Sequence, residues 1–319
     1  MGSLLVRRLA SSLAMLVFIS VLIFGSTEAL PGDVATQLLG REATPVALAA
    51  LRTKLHLNEP VWKRYSTWAG GIVRGDLGRS LATDQPVAQL IGQRLRNTVL
   101  IAGLAAAFGI PLALLLGVLA GLKRDGPVDI IISVAALLGV CLPEFVVGTL
   151  LILVFGIYLH VVPAVTTASV DAPISQFLPS LWLPAATLSV VILAWIARIV
   201  RTSVIDVLDS DYVEMATLKG LSRWRVVIRH AVPNALLPAV NAVSLTLIGL
   251  VGGVVIVESV FNYPGIGTLA VQAVQNRDLP VVQVVGLLGA TTAVALNLAA
   301  DVASILLNPR LRTLAHGGD

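Results

Sequence analysis

The chain has 319 residues, of which 56% are apolar and only 13% charged, and its mean hydropathy is +0.90. That much apolar surface exceeds what a soluble core of this length needs, so composition excludes an ordinary soluble domain and places the chain in a lipid bilayer. The net charge of +4 sits in short basic groups at span ends rather than in a nucleic-acid-binding stripe, and the lone Cys141 excludes an internal disulfide or cysteine-based metal cluster.

Six apolar stretches are long enough to cross a bilayer as helix, which takes about 20 residues at 1.5 Å each. They run over 9–30, 97–121, 129–158, 181–201, 236–258 and 281–307. In the first, Arg7 and Arg8 before the apolar run Leu9 to Gly25 also fit a secretory signal, but Thr27-Glu28-Ala29 is a poor cleavage site. Five more spans follow, so the segment reads as a first anchor.

The segment 31–96 reads as a small helical insert. Pro45 to Leu57 has helical periodicity, and Pro60 opens a second helix at its first position. Trp62, Tyr65 and Trp68 then share one face. That face docks on the membrane interface, the outer pore mouth or a soluble partner, or else packs on a neighbouring helix. Gly75-Asp76-Leu77-Gly78 predicts a turn, and Pro86 to Leu95 a third helix leading into span two.

In span two, Gly117 and Gly121 stand one turn apart and favour close helix approach, as do Gly249 and Gly253 in span five. Pro143 should interrupt span three and free backbone groups beside Glu144. Charge at a bilayer centre costs about 2.5–3.5 kcal/mol on insertion scales, so Glu144, Glu258 and Asp301 need a reason. Each reads either as a gate or pathway residue or as a structural hydrogen-bonding group. Glu258 is expected at the outer end of span five and Asp301 near the cytoplasmic end of span six, both within reach of water or a partner chain. Asn241 and Ser244, three apart on span five, either line a polar conduit or bond a neighbouring helix.

Orientation follows from the basic residues, which resist export. Arg7 and Arg8, Lys123 and Arg124, Lys219, Arg223, Arg225 and Arg229, and Arg310 and Arg312 all fall on one side; loop 159–180 has no Lys or Arg, and 259–280 only Arg277. Both termini and the 202–235 loop therefore read as cytoplasmic, with 31–96 outside. Within that loop, Asp211 at an N-cap and Glu214 three residues on suggest a capping box; Gly220 can end the helix in a left-handed conformation, and Ser222 can cap the next one.

Glu214-x-Ala216-x-x-x-Gly220, followed after nine residues by a tetrad ending at Pro233, resembles the EAA motif of ABC importer permeases, which begins Glu-Ala-Ala and ends Ile-x-Leu-Pro. The chain departs from it at Met215 and in the tetrad His230-Ala231-Val232-Pro233. Ala197-Arg198-x-x-Arg201, Lys219-Gly220-Leu221-Ser222 and Arg229-His230-Ala231-x-x-Asn234-Ala235-Leu236-Leu237-Pro238 look like the B-type transmembrane subunit of dipeptide and oligopeptide ABC importers. Further matches in the same order are Leu30-Pro31-Gly32-Asp33, Gly75 to Ser80, Leu142-Pro143-Glu144-Phe145, Glu258 to Gly267, Arg277-Asp278-Leu279-Pro280-Val281-Val282, and Asp301 with Asn308-Pro309-Arg310-Leu311-Arg312.

The resemblance implies an all-α integral membrane protein with the six-helix type I permease fold, one permease domain over 1–319, in a bacterial inner or plasma membrane. It implies a heterodimer with a second related permease, two cytoplasmic ABC ATPase subunits or domains and an extracytoplasmic substrate-binding protein. Asp211, Tyr212, Glu214, Ala216, Lys219, Gly220 and Ser222 become the ATPase-coupling residues, while Asn241, Ser244, Glu258, Glu144 and Asp301 are the candidates for path or gate. No Walker A sequence occurs in the chain, so no cofactor is expected in it and ATP with Mg falls to the partner ATPases. Peptides are the expected substrate; nickel chelates, haem and glutathione belong to the same family. An autonomous channel or secondary transporter would call for ion-coupling carboxylates near mid-span and gives no reason for the EAA-like loop. An intramembrane enzyme would need paired carboxylates, a nucleophile elbow or zinc spacing, none of which is visible; the histidines His56, His160, His230 and His316 show no such pattern.

Overall fold

In lipid, backbone groups that cannot reach water must bond within their own segment, and an apolar run solves this as helix. The structure, a computed structural model, describes residues 2–29, 36, 44–54 and 58–307. The family-like segments at 30–33 and 308–312 lie outside the described residues, as does the expected helix end at Leu57. Among the described residues the only pairing of extended chain is an isolated bridge between Arg79 and Pro86.

The first helix, α1, spans Gly2–Glu28. Two insert helices follow, α2 over Pro45–Lys54 and α3 over Val61–Val73, where Pro60 is the cap residue rather than the first helical one. Tyr65 and Trp68 pack on Phe24 of α1 with ring centroids 5.5 and 5.6 Å away, while Trp62 is 72% exposed. The expected single aromatic face is thus divided, because each step of three residues falls short of a full 3.6-residue turn. The Ser20–Tyr65 hydroxyl contact at 2.8 Å and an Arg64–Glu28 ion pair complete the α1–α3 contact.

Helix α4 runs unbroken over Val87–Leu122, so the expected third insert helix is simply its first part; no proline or glycine pair interrupts it near Leu95. Span three is two helices, α5 over Pro127–Cys141 and α6 over Glu144–Leu151, the latter continued as π-helix over Ile152–Tyr158. They are bent by 111° at the interruption expected of Pro143, a sharper turn than a proline alone requires. Leu142 is extended because the following Pro143 disfavours helical backbone there.

Helix α7, Ile174–Leu208, passes through Pro179 and Pro184 and continues beyond the expected span end at residue 201. Four short elements follow: α8 Asp211–Leu218, α9 Arg223–Val226, a π-turn Val227–Ala231 and α10 Val232–Ala235. Span five is α11, Leu237–Val260; α12 is Ile266–Gln275, and span six is α13, Leu279–Leu307.

The core forms where α4 crosses α7. Ile101, Ala105 and Ala113 meet Leu188, Ile192 and Ile196, all buried. A Cβ on Gly117 would lie 2.7 Å from the Ala197 carbonyl and from Val200, and one on Gly121 2.7 Å from Val204, so these glycines set how closely the helices approach. A second core joins Val87 and Ile91 of α4 to Leu269, Ala273, Val281 and Val284 at the opposite end of the bundle from α8.

Candidate functional site

Helix α8 hangs from the end of α7 by two residues. Ser210 occupies its N-cap position in extended backbone, but the Ser210 hydroxyl turns back to the Val207 carbonyl. Asp211 is therefore the first helical residue and Glu214 lies in the first turn, so the expected capping box is not formed. Both carboxylates still lie where the helix N-terminal dipole favours negative charge.

The other end follows expectation closely. Gly220 has φ +78°; its amide donates to Thr217 O at 2.9 Å and the Leu221 amide to Ala216 O at 3.4 Å. This is a Schellman ending, which requires the left-handed residue at that position. A Cβ on Gly220 would meet nothing within 4 Å, so backbone conformation rather than space selects glycine.

Val213 packs with Val226 and Ala231 against Val207, Leu208, Ala216 and Leu221, a small core that holds α8 against the returning chain. The Asn234 amide donates to the Tyr212 hydroxyl at 3.3 Å. Asp211, Glu214, Lys219 and Ser222 are exposed, and Ala216 is half-buried. Tyr212, Met215, Leu218 and Trp224 are 44, 56, 74 and 72% exposed, giving this element an apolar outward surface flanked by acidic side chains. Sequence reasoning passed over Met215, Leu218 and Trp224, although apolar residues flanking an otherwise charged loop were a usable signal.

Just above, Arg201 clasps Asp129 through Nε and Nη2, at 2.5 and 2.7 Å. Asp129 is 2% exposed and also accepts the Asp125 amide and the Ser133 hydroxyl. With the Arg124–Asp209 pair at 2.9 Å, this ties the ends of α4, α5 and α7 nearest α8 together. Asp129 was not singled out by sequence.

At the opposite end of the bundle from α8, Glu258 lies near the end of α11, where it is expected, but it has no exposed surface, so water does not reach it. Its carboxylate accepts the Thr98 hydroxyl at 2.6 Å and the Gly267 and Thr268 amides at 2.7 and 3.2 Å. It thereby caps α12, whose own N-cap residue, Gly265, has no side chain. A Cβ on Gly265 would fall on this carboxylate, and one on Gly267 on the backbone of Val255. Tyr263, equally buried, donates to Asn97 O at 2.9 Å, and burial pushes its hydroxyl above the usual tyrosine range, so it stays a donor.

The other path candidates do not join this cluster. Glu144, half-buried at the α5–α6 bend, faces Gly253 of α11, and its Oε2 is buried without a hydrogen-bond partner among the described residues. Asp301 pairs with Arg8, fastening α13 to α1. Asn241 is exposed; Ser244 donates to Val240 O within its own helix and lines a cavity of about 470 Å³ with Leu114, Leu247 and Leu296. A second, mostly apolar cavity of about 360 Å³ lies between α4, α11 and α13, reaching Thr98 and Gly267 at the end away from α8. Among the described residues no three His, Cys, Asp or Glu side chains could hold a metal ion.

Residues 113–313 match the family described as binding-protein-dependent transport system inner membrane component, and residues 1–102 match the family of its N-terminal part. The chain is 37% identical to a probable peptide ABC transporter permease protein of Sinorhizobium fredii, covering 98% of this chain and 100% of that one. It is 35% identical to a putative peptide transport system permease protein of Brucella abortus, over 98% and 99% of the two chains. It is 34% identical to the glutathione transport system permease protein GsiC of Escherichia coli, over 96% and 98%. A solved structure of the inward-facing MetNI methionine ABC transporter shares the fold, with TM-score 0.57, 20% identity and coverage of 70% of this chain and 98% of that one.

Proposed function

The chain belongs to the inner-membrane components of binding-protein-dependent transport systems, a transmembrane permease subunit of an ABC importer, and on that premise we propose that it carries peptides and couples to ATPases through α8. The observation that carries the coupling is the outward face of α8, apolar at Tyr212, Met215 and Leu218 and ended by Gly220. A short helix held rigid by its own small core fits a groove on a partner and passes movement to α7. Asp211 and Glu214 add charge for a basic partner, worth about 1.5–3 kcal/mol in a well-formed charge-assisted bond.

The assembly in this reading contains a second related permease, two cytoplasmic ATPases and an extracytoplasmic binding protein. ATP and Mg sit on the ATPases, and this chain has no catalytic site of its own. Peptide transport is supported by the names of the relatives from Sinorhizobium and Brucella; glutathione, itself a peptide, is the second reading, supported by the Escherichia relative. Of the path candidates, Ser244 stands best, in the wall of the 470 Å³ cavity.

The test is Gly220→Val, which strains the turn, alongside Glu214→Ala. Both variants should insert at near-normal levels yet lose uptake at least about tenfold, the cost of one charge-assisted contact or more. Co-purification of the ATPase should fall, or its hydrolysis should no longer drive transport. Wild-type uptake with the ATPase retained in both variants would reject coupling through this helix.

A further inference from the structure

A polar cavity of about 330 Å³ opens on the outer side, walled by the start of α4, the loop after the π-helix, the α11–α12 turn and α12. We propose that it receives the free carboxylate end of the peptide substrate, with Arg94 as the group that binds it. This rests on the peptide reading above and assigns a residue and a functional group to it.

Among the described residues, Arg94 is the one charged side chain in the cavity wall. Its Nη1 and Nη2 reach Thr268 Oγ1 and Gln272 Oε1 only at 3.4 Å each, the long limit of hydrogen bonding, so a guanidinium with five donors is held in place but not used up. The described carboxylate whose charge acts on it is Glu258, and that group is already engaged by Thr98, Gly267 and Thr268. A half-buried cation with no bonded anion among the described residues favours an incoming one, and guanidinium meets carboxylate in a two-bond fork.

The surroundings fit the rest of a peptide end. Thr166, Ser169 and Asn262 offer hydroxyl and amide groups in the same wall, and the Thr166 hydroxyl, in a residue 2% exposed, has no partner among the described residues. Arg96 is not in the wall; it donates to Asn97 Oδ1 and to the carbonyls of Val170 and Ala172, which holds the loop that forms one side of the cavity. Asp171 follows Val170 on that loop but does not line the cavity. The volume lies in the range of small-ligand sites and encloses a residue or two, not the surface of a folded partner. A binding site for a group shared by free peptides of every sequence would let the permease accept many of them.

The assembled transporter with its binding protein, in proteoliposomes, would be supplied with di-, tri- and tetra-alanine, each as free acid and as C-terminal amide, at concentrations that saturate the binding protein. Wild type should transport the acids faster than the amides. Arg94→Gln should cut acid uptake at least about tenfold and leave the amides unchanged, erasing the preference, whereas Arg94→Lys keeps part of it. Thr166→Val, close in shape, should weaken the preference without loss of assembly. Equal loss of acid and amide, weaker docking of the unliganded binding protein in Arg94→Gln, or an intact acid preference in that variant would overturn the assignment. Transport of neither form by wild type would instead reject the peptide reading itself.

Discussion

A carboxylate with no exposed surface survives at Glu258 because donors from two directions converge on it, a hydroxyl from α4 and the first free amides of α12. Glu258→Leu would leave the Gly267 and Thr268 amides unpaired, at about 1–3 kcal/mol for each orphaned buried group, and would take the acceptor from the Thr98 hydroxyl, which would keep only its bond from the Ile266 amide. The variant should melt well below wild type in detergent, with Glu258→Gln between them; equal melting of the Leu variant and wild type would show that the carboxylate bears no load. The charge inside an apolar run marked Glu258 in the sequence, but Thr98 lies 160 residues away, so its partners and burial could not be read there. Gly220 was legible for the opposite reason: a left-handed helix ending is a local rule that glycine obeys wherever it falls. Asp211 and Glu214 show how narrow such rules are, since a cap shifted to Ser210 dissolves the capping box.

Elements were legible where length and apolarity decide them, and the helices of spans one, two, four, five and six lie where the apolar runs put them. The break at Pro143 was equally plain, but not its angle, which depends on what α5 and α6 pack against rather than on the proline alone. Close helix approach at Gly117 was also anticipated, and the structure supplies the partner. In Gly117→Val the new side chain would meet the Ala197 carbonyl, which cannot rotate away, and Val200. Overpacking of this kind costs about 1–3 kcal/mol. Gly249→Ala, where an added Cβ meets nothing within 4 Å, is the matched control. Thermal stability of the purified complex should drop for the first and hold for the second; the reverse order would mean that α4 and α7 are not held at this distance in the membrane.

For the whole molecule, the distribution of Lys and Arg predicts that α8 faces the cytoplasm and α3 the outside. In a Cys141→Ser background, Trp62→Cys should react with a membrane-impermeant maleimide in intact cells, and Leu218→Cys only after the cells are opened, both positions being well exposed. Labelling of Leu218→Cys from outside would invert the arrangement. The half of the bundle away from α8 also joins stretches far apart in the chain: Ser80 bonds Asp278, Thr98 bonds Glu258, Tyr263 bonds Asn97 and Gln283 bonds Thr27. The consequence is one of inheritance. The amino-terminal third cannot be exchanged with that of a relative as a free-standing module, because its hydroxyls and amides and the carboxylates they satisfy have to change together or not at all.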